Sequence, residues 1–338
     1  MLYGLTRKER ILRTIQRKPV DRLPVNLELT VPCAQKVIDD LGIRHDELLG
    51  VLDSHIVYAY LNDTVKRENG IIYDNWGVGY DEHEGAAIRV HPMEDELMAD
   101  RYEFPDPKSP TLLSSVEKTV SDYGQEFLIP VYQKWLLFER ACWLRGVENF
   151  LIDMVANRPF AEWLLDQITD YQIKLAKRAV ETGIDCGRTG DDWGGQTGLL
   201  FSPTLWRELI KPRLKRIWDV YKNAGLPIIH HSCGLISEII PDLVELGLDV
   251  LHPLQTVISR KEVKGRYGSS LVFYGGIDTQ HVIPFGSTED ISAEVDDCFE
   301  TLGRDGGYIV GFAHTLTSET PLENLYAVLD AVRRRQDM

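Results

Sequence analysis

The chain has 338 residues, 43% of them hydrophobic and 26% charged, a globular balance that excludes a mostly disordered polymer. Lysine and arginine number 37 against 52 acidic residues, a net charge of −15 that argues against nucleic acid or an anionic membrane surface as a partner.

Thr6 with Glu9 three residues on predicts a capping box opening a first helix, with Ile11, Leu12 and Ile15 turned inward. The surrounding stretch, MLYGLTRKERILRTIQRK, interleaves charge with Leu and Ile, so it lacks the apolar core of a secretory signal. No apolar run approaches the length that spans a bilayer. The five cysteines (33, 142, 186, 233 and 298) contain no C-x-x-C, which indicates neither a disulfide framework nor a zinc ribbon; the expected location is a reducing cytoplasm. Residues 23–29 read as a strand, and a helix from about 32 to 41 stops at Gly42. Residues 70–92 combine alternation, aromatics and glycines, the pattern of a β-hairpin insertion rather than a separate domain.

From 126 onward strands and helices alternate regularly, with candidate strands at 126–132, 184–189, 227–231, 249–252, 271–274 and 308–312. One helix has Ser202 as N-cap and Pro203 at its first position, with Pro212 as a kink. Asp290 after Ser287 caps another. The last opens at Thr320-Pro321-x-Glu323 as a capping box and buries Leu325, Val328, Leu329 and Val332. Strands separated by helices of this length require right-handed crossovers and a parallel sheet. No G-x-G-x-x-G follows the first strand, which disfavours a dinucleotide-binding sheet. Seven strand candidates without a low-complexity linker predict one closed (β/α)8 TIM barrel occupying residues 1–338.

In such barrels the chemistry collects at the C-terminal ends of the strands. Those ends carry polar groups in succession: Asn26 and Glu28, Asp191 and Asp192, His231 and Cys233, His252 and Gln255, Tyr274 and Asp278, and His314. Any one Asp can simply cap the next helix, and a lone buried His is commonly a satisfied core residue, so it is their convergence that points to a site. His231-x-Cys233 is the sharpest feature. Residues i and i+2 leaving a strand share a side, and imidazole with thiolate suits zinc, which in catalytic sites keeps three protein ligands and an open position. H-x-C alone also recurs by chance, and Cys233 reads equally well as a small buried residue beside a glycine turn. A third ligand must come from another strand end. His314 is best placed by register, with Asp278 and Glu28 behind it.

His230 alternates with His231 and should point away. Asp191 and Asp192 are neighbours on extended backbone, so at most one faces a substrate; two carboxylates sharing a cavity would raise the pKa of one. Tyr132, Trp135, Phe138 and Trp143 read as core or cavity wall, and Cys142, Cys186 and Cys298 as buried structural residues.

The segments GDDWGGQTGLLFSPTLWRELIKPRLKRI, HHSCGLISEIIPDLVELGLDVLHPLQ, YGGIDTQHVIPFGSTEDI and GGYIVGFAHTLTSETPLENL, in this order and after the opening TRKERILRTIQRKPVDRLPV, resemble the uroporphyrinogen decarboxylase superfamily. The resemblance covers nearly the whole chain, is strongest from 185 to 335, and implies a (β/α)8 barrel. It implies one of two chemistries. True decarboxylases are metal-free and hold a tetrapyrrole bearing eight carboxylates with an arginine-bearing R-Q-A-G-R loop after strand one, an aspartate, a tyrosine and a late histidine. His314 matches the late histidine, but Leu27-Glu28-Leu29-Thr30-Val31-Pro32-Cys33 contains no arginine.

The other branch, corrinoid-dependent methyltransferases, binds zinc through an H-x-C pair, matched by His231 and Cys233, and a late cysteine whose place here is at or beside His314. This branch implies a zinc-dependent methyltransferase that moves a methyl group between a small methylated substrate or thiol carrier and a corrinoid protein docked over the barrel mouth. His231, Cys233 and His314 would hold the metal. Asp191, Asp192 and Asp278 would orient substrate or ligands, with His314 also counted among the catalytic groups. Gln255 and Tyr274 would line the cofactor side, and a homodimer is open. Two alternatives stand: metal-free decarboxylation of a porphyrinogen, and a non-catalytic tetrapyrrole- or corrinoid-binding module.

Overall fold

The computed structural model describes residues 4–82 and 87–337. Seven parallel strands pair in chain order: Ala59–Tyr60, Pro130–Gln133, Cys186–Gly190, Ile228–His231, Val250–Leu254, Val272–Ile277 and Tyr308–Phe312. The extended segment 24–29 fits between the last and the first. The Asn26 N–H donates to the Val310 carbonyl at 2.8 Å, the Val310 N–H to the Pro24 carbonyl at 2.8 Å, and the His55 N–H to the Val25 carbonyl at 3.0 Å. Parallel bridges join Val25 to Val310 and Ile56 to Leu128. Pairing therefore runs round a circle of eight, the TIM barrel that the alternation predicts. The segment 55–60, absent from the predicted strands, is the second member of that circle. Only Ala59–Tyr60 forms a regular ladder there, so its trace in the sequence is short.

Period-two alternation along the strands fills the barrel in layers. The lower layer is apolar: Ile56, Leu128, Cys186, Ile229, Val250, Val272 and Ile309 form one buried cluster. Two residues further along, the inward positions are Tyr58, Arg188, His231, His252 and Tyr274, a polar layer near the strand ends. A Cβ on Gly311 would stand 2.5 Å from the Tyr274 ring, so a glycine is needed opposite that tyrosine. His230, one residue out of phase, faces the helices as expected. It is buried, its ring stacks on Trp193 at 4.6 Å, and its Nδ1 lies 2.8 Å from the Thr189 hydroxyl.

Several helix signals hold. Thr6 and Glu9 form a capping box on Arg7–Ile15, Ser287 and Asp290 another on Thr288–Cys298, and Gly42 ends Val31–Leu41 at φ +62°. Ser202 caps Pro203–Leu205; a wide π turn, Trp206–Ile210, then precedes Pro212 in Lys211–Asn223. A proline ring displaces the carbonyl four residues back, and the wide turn absorbs that. The last helix departs from expectation. Leu322–Gln336 starts one residue later, with Pro321 as N-cap and no side-chain cap; the carbonyls of Ser318 and Thr320 instead accept from Lys36 Nζ.

The expected hairpin at 70–92 is larger than predicted. Thr64–Glu68, Ile71–Asp74, Gly79–Asp81 and Ile88–Val90 make a four-stranded antiparallel meander; residues 83–86 of that prediction lie outside the described residues. Thr64–Glu68 is exposed throughout, so it shows no alternation to detect. Asp74 pins the meander to the barrel. Its carboxylate accepts from the N–H groups of Trp76 (2.9 Å) and Val78 (3.0 Å), from the Tyr80 hydroxyl (2.8 Å) and from Arg140 (2.6 Å) in Phe138–Arg145. Among the described residues no helix is long and apolar enough to cross a membrane.

His55 ties the first helix to the barrel. Arg10 Nη1 can only donate, so His55 Nε2 accepts at 2.9 Å and Nδ1 faces the Asp53 carbonyl at 2.7 Å as the N–H. Burial lowers its pKa to about 4. The unfolded chain therefore takes up a proton that the native chain refuses. Its contribution is fully present above about 6.5 and is lost as pH falls toward 4. A His55→Gln variant is expected to show a flatter loss of stability between pH 6.5 and 4, read from urea midpoints at several pH values; an unchanged pH slope would refute the assignment.

Candidate metal centre at the barrel mouth

His231 ends the Ile228–His231 strand, and Cys233 follows in the turn. Their same-side geometry brings His231 Nε2 to 3.4 Å from Cys233 Sγ. The turn is shaped by Gly234, at φ +82°, whose added Cβ would stand 2.2 Å from the Gly194 backbone. Two side chains brace it: Asp192 Oδ1 accepts the Cys233 N–H at 2.8 Å, and Gln255 Oε1 accepts the Gly234 N–H at 2.7 Å. From just beyond the C-terminal end of Tyr308–Phe312 His314 joins them, and the ligand-capable atoms of His231, Cys233 and His314 all lie within 4.8 Å of one another. His231 and Cys233 are half-buried and His314 is exposed.

Beneath this cluster lies a network that the sequence reading did not assemble. Arg188, 2% exposed, sits with its guanidinium 3.9 Å from the Tyr58 ring centre and 4.4 Å from that of Tyr132. It reaches Glu28 Oε2 at 3.4 Å and His252 Nδ1 at 3.3 Å. Glu28 Oε1 accepts from the hydroxyls of Tyr58 (2.6 Å) and Tyr274 (2.7 Å) and lies 3.2 Å from His252 Nε2. Asn26 Nδ2 donates to the Tyr274 hydroxyl at 2.8 Å. Burial alone would raise the Glu28 carboxyl, but Arg188 and then His252 outweigh it and hold the group well below the usual range.

This network decides which nitrogens carry protons. Arg188 only donates, so His252 Nδ1 is a lone pair, and the carboxylate opposite makes His252 Nε2 the N–H. His231 Nδ1, 3.0 Å from His252 Nδ1, must then be an N–H. That leaves His231 Nε2 as the bare lone pair facing Cys233. Burial lowers both rings, His252 to about 4 and His231 well below its usual value, so both are neutral near pH 7.

The other expected site residues divide. Asp192 reaches the cluster, 3.6 Å from His231 Nε2 and about a third exposed. Gln255 lines the cavity beside it. Asp191, expected to orient substrate, is fully buried and structural. Its oxygens accept the N–H groups of Phe138 and Glu139, each at 2.9 Å, and the Trp193 indole at 2.8 Å, anchoring Phe138–Arg145. Asp278 likewise caps its own turn, accepting the N–H groups of Gln280 at 2.6 Å and His281 at 3.1 Å. Tyr274, expected to line a cofactor pocket, is 1% exposed and belongs to the Glu28 network. Glu139 was not foreseen. Its Oε2 accepts the Asp192 N–H at 3.1 Å, and burial followed by Asp192 raises its carboxyl well above the usual range. Cys142, Cys186 and Cys298 are buried, as expected.

A cavity of about 280 Å³ opens beside Cys233, Gln255 and His314. A second, of about 360 Å³, lies against Asn26, Glu28 and Tyr58, and Thr315 borders both.

A family profile described as uroporphyrinogen decarboxylase (URO-D) matches residues 75–335. The chain belongs to the uroporphyrinogen decarboxylase family. Within it, the uroporphyrinogen decarboxylase of Thermus thermophilus is 27% identical over 171 residues, 50% of this chain and 47% of that protein. The methylated-thiol–coenzyme M methyltransferase of Methanosarcina mazei is 25% identical over 228 residues, 66% of this chain and 58% of that protein. The chain thus spans about half the length of the curated relatives it matches. A methyltransferase structure from Methanosarcina mazei superposes with a TM-score of 0.75 at 20% identity, covering 98% of this chain and 99% of the other, and shows that the two share a fold.

The Arg188–Glu28 pair carries a prediction. Removing one partner of a buried ion pair leaves an uncompensated charge, which costs about 3–5 kcal/mol, whereas removing both is often nearly neutral. Glu28→Gln is expected to be destabilised by about that amount in chemical denaturation, and adding Arg188→Met should recover much of the loss. Equal destabilisation of the single and double variants would contradict this account.

Proposed function

We propose that this protein is a zinc-dependent methyltransferase, moving a methyl group between a small methylated compound or thiol and a corrinoid carried by a partner protein. The observation that carries the reading is the convergence of His231, Cys233 and His314. The donor set fits zinc. Ligands at about 2.0 and 2.3 Å in a tetrahedron stand roughly 3.5 Å apart, close to the 3.4 Å between His231 Nε2 and Cys233 Sγ. His231 offers a bare nitrogen whose other N–H is held by His252, the outer-partner arrangement usual for metal-binding imidazoles. Bound there, zinc would supply Lewis acidity to the substrate heteroatom.

The protein's own groups supply the rest. Burial and then Asp192 push the Cys233 thiol up, so a cation beside it is what would favour the thiolate. Asp192 and Gln255 hold the 233–234 turn in place, and the Glu28–His252 pair fixes the imidazole. Apolar side chains are exposed at Tyr60 (54%), which ends its strand, and on segments that follow other strands at Val31 (84%), Leu200 (49%) and Phe285 (83%), and would be available to a partner docked over the mouth. The five free cysteines suit a reducing cytoplasm. Decarboxylation of a porphyrinogen has less support: the cavity at the cluster has no arginine or lysine in its lining, and Arg188 is committed to Glu28.

Purified protein is expected to hold about one zinc per chain. Cys233→Ala should lose it and lower methyl transfer by more than the roughly 10- to 100-fold that loss of an outer partner costs. His314→Ala tests the third ligand by the same metal analysis. Full zinc content and activity in Cys233→Ala would remove the proposal.

A further inference from the structure

Among the described residues, the lining of the cavity beside the His231, Cys233 and His314 cluster has no lysine and no arginine. Apart from the cluster and Gln255, its polar side chains are Thr256, Thr279, Gln280, Thr315 and Thr317. Cations near it are already engaged. Arg188 lies beneath the cluster, facing Glu28 and His252. Lys36 donates to the Ser318 and Thr320 carbonyls. Zinc on two imidazoles and the Cys233 thiolate would carry one net positive charge, which a bound substrate thiolate would cancel; the accessible charge that remains is negative, because Asp192, a third exposed, stands beside His231 on a chain of net charge −15.

An anionic tail entering here would find no charge-assisted partner among the described lining residues and would meet the field of Asp192 beside His231. A primary ammonium would instead be drawn toward that carboxylate, although the described lining offers it no Phe, Tyr or Trp ring. Threonine hydroxyls and glutamine amides remain, which donate to and accept from neutral polar groups. At roughly 30 Å³ per water-sized group, 280 Å³ admits about ten heavy atoms.

We infer that the methyl donor or acceptor bound at this cluster is a small polar molecule with no anionic group beyond its reacting heteroatom (a thiol, thioether, ether or alcohol) rather than a carrier with a sulfonate, carboxylate or phosphate tail. The inference rests on the zinc reading and gives that site its charge preference.

A charge series of one two-carbon thiol tests it: 2-mercaptoethanol, 2-mercaptoethanesulfonate and 2-aminoethanethiol, titrated into the zinc-loaded full chain by calorimetry, with affinities expressed per thiolate. The neutral and the ammonium thiol should both bind, and the sulfonate at least about tenfold more weakly than the neutral thiol, the factor expected for one missing charge-assisted contact. Thr256→Lys, at an exposed lining position, should recover sulfonate affinity at least about fivefold with zinc content unchanged, about the reverse of that same contact. Sulfonate binding as tight as the neutral thiol overturns the inference while leaving the zinc site standing, as does failure of every thiol to bind. Absence of stoichiometric zinc overturns the metal reading itself, and the inference with it.

Discussion

A carboxylate and a guanidinium inside the barrel organise everything above them. Glu28 and Arg188 are held from strands on opposite sides of the ring, and neither could be buried charged without the other. Three donors besides Arg188 converge on Glu28: two tyrosine hydroxyls and His252. With its lone pairs used in this way, the carboxylate remains ionised beneath the mouth, and its charge sets the proton positions on His252 and then on His231. The orientation of the outermost imidazole is therefore a consequence of an ion pair two groups further in.

That arrangement rests on barrel geometry. Inward residues recur every second position, so an apolar layer of Ile, Val, Leu and Cys side chains supports a polar layer directly above it. The polar layer is costly only if its members lack partners, and each of the five inward groups named here has at least one. On the outer face of the same strands, His230 is packed between Trp193 and Trp218. Two adjacent histidines thus serve a wall and a mouth, separated by a single step of the pleat.

Three of the carboxylates near the mouth illustrate how strand-end position and chemical role come apart. Asp191 follows the Cys186–Gly190 strand and Asp278 the Val272–Ile277 strand, yet both are consumed by backbone N–H groups, Asp191 by those opening the helix Phe138–Arg145 after the neighbouring strand and Asp278 by those of its own next turn. Asp192, one residue from Asp191, reaches the cluster because the backbone is extended there and neighbouring side chains diverge. A short acidic residue after a strand satisfies orphan N–H groups so well that capping is the default.

By itself the sequence determined the fold class, seven of the eight barrel strands, the outward turn of His230, and the pairing of His231 with Cys233. These follow from local periodicity and from i, i+2 spacing, which are properties of a few consecutive residues. It also pointed to His314, through register at another strand end. Only the tertiary structure decided that Arg188, mid-strand and 160 residues from Glu28, forms its ion pair, that Tyr274 is buried beneath the mouth rather than lining it, and that Thr320 gives up its cap. Each of these depends on which groups meet across the closed ring. No window of neighbouring residues carries that information, because ring closure brings together strands from both ends of the chain.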